Sequence, residues 1–142
     1  MTPATTALVA RVLKLREATD RAALATAQQE QHRRAAAASA LARVIALEQA
    51  FVESTAAAML ASPALGLWRA AAASRLDERW RAAADAEAAC AAPQAALGET
   101  IRLRLGFETL CERRTKEAER DAQRRDPLRG LMLLPGPHRG AG

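Results

Sequence analysis

Apolar positions recur along this chain with helical spacing, and no breaker interrupts them between Pro3 and Pro63. Prolines stand only at 3, 63, 93, 127, 135 and 137, and glycine is absent before Gly66. Residues 4–60 therefore predict one continuous helix about 85 Å long, begun near Thr5 or Thr6, either of which can cap it. Leu8, Val12 and Leu15 are spaced four and three apart, as in a heptad seam. Leu41, Ile45, Val52 and Met59 suggest a second seam in a different phase. Between them, from Thr26 to Ala40, no large apolar side chain occurs, so a shift of the seam is expected there.

The segment ASPALGLW (residues 61–68) breaks the pattern. Ser62 can cap a new helix with Pro63 in its first turn, and a short connection makes the flanking helices antiparallel. The expected fold is all-α: a long antiparallel two-helix coiled-coil hairpin. Arm one covers about 4–60, the turn about 61–66 and arm two about 67–126, with 127–142 as a disordered Pro/Gly-rich tail. Leu65, Trp68, Ala72, Leu76, Trp80 and Ala83 form an apolar stripe. Leu97, Ile101, Leu103, Leu105, Phe107 and Leu110 form the densest apolar cluster. A fold at residue 62 sets position 110 opposite about 14, so this cluster should meet Leu8, Val12, Leu13 and Leu15. Pro93 predicts a kink or break near 91–94, and Gly98 and Gly106 weaken the same stretch.

Composition narrows this picture. Of 142 residues half are hydrophobic, but 38 are alanine, which leaves 33 larger apolar side chains. Four Val and two Ile are too few for a sandwich or barrel, and alanine gives a wide core little apolar area. The net charge of +5 is uneven: +2 over residues 1–60, −1 over 61–100 and +4 over 101–142. A basic end suggests an acidic partner or nucleic acid. The longest charge-free run, Ser54 to Trp68, is 15 residues and contains Pro63 and Gly66, so no bilayer span is expected. Nor does the N-terminus resemble a secretory signal. Cys90 and Cys111 are too far apart on one helix to bridge and read as free thiols.

Catalytic chemistry is not signalled, and no cofactor or metal site is predicted. His32 and His138 are distant from each other and from both cysteines. Phosphate-loop and nucleophile-elbow motifs are missing. Asp77 and Glu78 belong to mixed charge runs typical of a solvated helix face. Nucleic-acid binding through Arg113, Arg114, Lys116, Arg120, Arg124 and Arg125 is disfavoured, because Glu108, Glu112, Glu117, Glu119 and Asp121 interleave with them. Such a charged helix, with almost no apolar face, is solvated or completed by a partner. At the hairpin tip, Phe51, Val52 and Trp68 are candidates for a docking surface. The apolar Leu131–Leu134 run of the tail has no assigned contact.

The near-equal arms, ARVLKLREATDRAALA (residues 10–25) and FETLCERRTKEAERDAQRRD (residues 107–126) resemble the FliJ family of small flagellar export proteins, related to the YscO-type injectisome proteins. Phe107, Glu108, Leu110, Glu112, Arg113 and Arg114 match the family's aromatic–Glu–x–Leu step and Glu-Arg-Arg-like run. Leu13, Leu15 and Arg16 match its opening segment. The resemblance implies a non-enzymatic stalk or adaptor at the inner face of the cell membrane. Its paired termini would insert into a FliI-like export ATPase ring, and it would contact a FlhA-like export gate and export chaperones. On that reading Arg16, Arg113, Arg114, Lys116 and Arg120 are the expected ring contacts. Pro93, Gly98, Gly106 and the apolar tail depart from the family pattern. The alternatives are a basic helical protein binding nucleic acid and a self-assembling scaffold.

Overall fold

A computed structural model describes residues 1–55 and 63–133, with side chains at 1–54 and 63–126. Three helices account for nearly all of this: α1 Pro3–Thr55, α2 Pro63–Ala88 and α3 Ala91–Leu133. Helix α1 forms one arm, and α2 and α3 lie end to end against it as the other. The pairing is antiparallel: Cys90 faces Gln31, Thr100 faces Asp20 and Arg104 faces Glu17.

Helix α1 starts earlier than expected. Thr2, not Thr5 or Thr6, is the cap: the Thr5 amide donates to Thr2 Oγ1 at 3.2 Å, and Pro3 takes the first helical position. Proline fits there because its missing N–H would have no partner within the helix. Helix α2 likewise begins at Pro63, so residues 63–66 are helical rather than part of the turn. Residues 61–62 of that turn, and Met59 of the proposed seam, lie outside the described residues.

The second arm is broken at Ala89 and Cys90, just before Pro93. Here the Cys90 amide donates to the Glu87 carbonyl at 3.1 Å, and Gln94 restarts the helical ladder on Cys90 at 3.1 Å. Pro93 thereby falls in the first turn of α3, where it removes no helical hydrogen bond. The inward stripe nonetheless runs through the break as Ala86, Cys90, Pro93 and Leu97. Helix α3 continues through Pro127 to Leu133, into the stretch expected to be tail; residues 134–142 lie outside the described part.

Only one seam runs along α1. Its inward positions include Ala10, Leu13, Glu17, Asp20, Leu24, Ala38, Leu41, Ile45 and Val52, which keep a single seven-residue phase. The expected phase shift does not occur. Leu8, Val12 and Leu15 point outward instead, at 60%, 53% and 69% exposure. The apolar cluster of α3 divides in the same way: Leu97, Ile101 and Phe107 are half-buried, while Leu103, Leu105 and Leu110 are exposed. Residues two apart on a helix cannot share a face, so the cluster could not enter the seam whole. Trp80, placed on the stripe of α2 by its spacing, also lies largely outside. The arms are offset by about one helical turn from the expected pairing, bringing Cys111 near Ala10.

What the seam does bury is small. Ala38, Ala72, Ala83, Ala86 and Cys90 are its buried apolar residues, and Thr100 is its largest fully buried side chain. Within α1, an 18-residue window reaches a mean hydropathy of 1.4, long and apolar enough to cross a membrane, contrary to the reading from charge-free runs. Alanine raises that score while contributing little apolar area per residue.

Two stability predictions follow from this packing. Ala38 is fully enclosed between the arms, so Ala38→Leu should destabilise the hairpin by about 1–3 kcal/mol in urea unfolding. Gly98 and Gly106 are helical with open space where a Cβ would stand. Gly98→Ala and Gly106→Ala should each stabilise by roughly 0.5–1 kcal/mol in the same measurement.

Candidate docking site at the joined end

The two arms are locked together near their joined end by polar bonds. Thr100, fully buried, donates through Oγ1 to Asp20 Oδ2 at 2.5 Å. Four residues along, Arg104 Nε donates to Glu17 Oε2 at 2.5 Å, and its Nη1 donates to Glu108 Oε1 at 3.0 Å. Arg21 closes the group from α1, donating to Glu17 Oε1 at 2.7 Å. Glu17 is thus gripped from its own helix and from the opposite one. The hydrogen bond from Arg21, and then the bond and charge of Arg104, hold its carboxyl below the ordinary 4.5, against the opposing effect of burial. Bonds to Glu108 and Glu17 raise the pKa of Arg104 further above its already high ordinary value. Buried polar atoms of the described side chains all have a partner.

Beyond this lock lies a groove of about 830 Å³ lined by both arms. Its lining is mostly apolar, with Pro3, Ala7, Ala10, Phe107 and Cys111 alongside Glu108, Glu112 and Arg114. Helix α3 then runs on past the level of Pro3 as a single charged helix.

The residues expected to contact a ring do not all gather here. Arg113, Arg114, Lys116 and Arg120 are exposed on the last paired turn and the single helix beyond it. Arg16 is exposed but sits beside the Glu17–Arg104 lock, about 15 Å down the rod from Arg114. At the far end, Phe51, Val52 and Trp68 do come together: with Leu47, Glu48 and Leu65 they line an open groove of about 450 Å³.

The lock itself escaped sequence reasoning. Its signal was present, since Glu17 and Asp20 repeat the three-residue spacing of the seam and meet Arg104 and Thr100 once the arms are folded. It was hidden by the assumption that a seam is apolar. Among the described residues, no group of three or more His, Cys, Asp or Glu is placed to hold a metal ion. Cys90 is a buried free thiol, with Sγ 3.4 Å from the Ala86 carbonyl. Compared with known protein families, curated proteins and solved structures, the chain matches none.

The lowered pKa of Glu17 fixes a pH dependence. Its carboxylate stabilises the hairpin fully above pH 4.5, and that contribution is lost as pH falls through the folded value. The melting temperature should therefore drop below pH 4.5, and Glu17→Gln should flatten that part of the profile. Thermal melts followed by circular dichroism across pH 3–7 test this.

Proposed function

We propose that the protein is a non-enzymatic stalk or adaptor of a flagellar type III export apparatus. The reading is motivated by the resemblance of residues 10–25 and 107–126 to the FliJ family. The observation that carries it furthest is the joined end. There an apolar groove is lined by both arms, with Arg114 among its residues and Arg113 and Lys116 exposed beside it, and a charged helix carrying Arg120 continues beyond it. A single helix with exposed charges on every side has no fold-stabilising partner of its own. A ring lumen lined by complementary groups would supply one, as it does for stalk-like hairpins. In this reading the export ATPase binds the projecting helix, and the export gate or a chaperone binds elsewhere on the rod, with the tip groove of Phe51, Val52 and Trp68 as the candidate surface. The protein would act in the cytoplasm, reaching the membrane only through the apparatus.

Nucleic acid is the weaker partner for this end, because Glu112, Glu117, Glu119 and Asp121 share the helix with the arginines. Phosphate binding tolerates few such acids.

Arg113→Ala/Arg114→Ala should reduce co-purification with the export ATPase at least tenfold and impair motility, while leaving helicity and melting temperature unchanged. Undiminished co-purification together with normal motility would remove this role.

A further inference from the structure

Midway along the rod lies a groove that neither end site uses. It holds about 450 Å³ and is lined by Arg33, Arg34 and Ala37 of α1 and by Arg79 and Ala82 of α2. Among the described residues, no carboxylate lines it. Three arginines drawn from both arms thus share one concavity whose remaining lining is alanine.

The register explains why they converge. Arg34 also lines the neighbouring groove with Ala86, and Arg79 lies seven residues from Ala86, about 10 Å of helix. Ala37 and Ala82 fall between those levels. Arginines therefore reach in from both ends, over side chains too short to fill the space. Arg34 and Arg79 also keep the phase of the seam. Arg34 stands one heptad before Leu41, and Arg79 one heptad from each of the buried Ala72 and Ala86. Polar groups at seam positions near the joined end meet a partner on the other arm, as Asp20 meets Thr100 and Glu17 meets Arg104. Arg79 meets none: it has no hydrogen bond or ion pair among the described residues, and nearby Asp77 is taken by Arg81 at 2.9 Å.

Charge fixes the kind of ligand. Glu30 Oε1 accepts from Arg33 Nη2 at 2.9 Å and from Arg34 Nε at 2.8 Å. That pairing holds both guanidinium groups in place. Against three arginines it cancels one positive charge and leaves two. A phosphate monoester carries roughly −1.5 to −2 at pH 7, and its oxygens accept the forked N–H groups of arginine. A long polyanion fits less well. Glu30 and Asp85 line the next groove along, so a nucleic-acid backbone following the rod would pass from arginines onto carboxylates.

We propose that this groove binds the phosphate group of a small phosphorylated molecule, with Arg33 and Arg34 held on one side by Glu30 and Arg79 closing from the other arm. The bound group touches both arms, so it ties the hairpin together at mid-rod, where alanine supplies the packing. It stabilises the folded chain by mass action. The inference is independent of the export reading, since the groove lies apart from both the joined end and the tip.

Pyrophosphate is the probe. Isothermal titration of the full chain at physiological ionic strength should show one site. Pyrophosphate should also raise the melting temperature above its value in sodium chloride of matched ionic strength. Arg79→Gln should weaken binding about tenfold, the loss expected for one hydrogen bond to a charged group, and should abolish the rise in melting temperature. Arg102→Gln removes the same charge from an exposed position on α3. It should change affinity less than about twofold, because a distant charge is screened. No binding by the wild type, equal losses in the two variants, or binding without a rise in melting temperature would each overturn the proposal. Displacement of pyrophosphate by a short single-stranded oligonucleotide would overturn it too, assigning the groove to nucleic acid.

Discussion

Two helices laid side by side can each bury a single stripe, and here that stripe is filled with alanine and with hydrogen-bonded polar groups. Close approach and polar register, rather than a broad apolar core, join the arms. Ala38, Ala72, Ala83 and Ala86 let the backbones draw near. The Asp20–Thr100 and Glu17–Arg104 bonds fix how far one arm can slide along the other. A slide of one turn would separate both pairs and strand a buried hydroxyl and a part-buried carboxylate. Leaving such groups without partners costs more than their bonds contribute, so the polar seam specifies register sharply while adding modest net stability.

That division explains where the larger apolar side chains went. A seam with one phase accepts one set of positions. The set shared by Leu13, Leu24, Leu41, Ile45 and Val52 runs the length of α1, whereas Leu8, Val12 and Leu15 persist for only two turns. The longer series wins because every turn of the hairpin must use the same face. The shorter series is then forced outward, together with Leu103 and Leu110 on the opposite arm. Apolar groups on the outside are thus a consequence of the polar, alanine-rich inside, and they are the groups available to other molecules.

Much of the architecture was legible in the sequence. The absence of Gly and Pro between Pro3 and Pro63, followed by a proline-marked connection, was enough to read two antiparallel arms. Pro93 was enough to read a break, although the break falls at Ala89 and Cys90 because proline is tolerated inside a first turn. The facing residues were harder. Helical spacing of apolar residues identifies a stripe but not its orientation, and Leu8, Val12 and Leu15 satisfied the spacing as well as Leu13 did. The deciding evidence was long-range: acids on one arm meeting an arginine and a threonine on the other. No local pattern contains that information. The grouping of Phe51 and Trp68 in one groove was legible because they flank the turn and must come close. The wider site at the joined end was not, since its groove depends on the exact offset of the arms.

The same physics bears on what such a rod can do. A hairpin whose interior is mostly alanine gains modest stability from its seam, so substitutions have little margin to draw on. Its interior in particular cannot be remodelled freely, because any change of register breaks the buried polar pairs at the joined end. Binding at one end therefore has no loose seam through which to slide the arms, and the rod transmits position rather than rearrangement. Among the described residues, helical hydrogen bonding of the second arm is interrupted at Ala89 and Cys90, while α1 runs past unbroken. Bending of the rod would concentrate there, opposed by the intact first arm. The rod thus holds register along its length and presents different surfaces at its two ends.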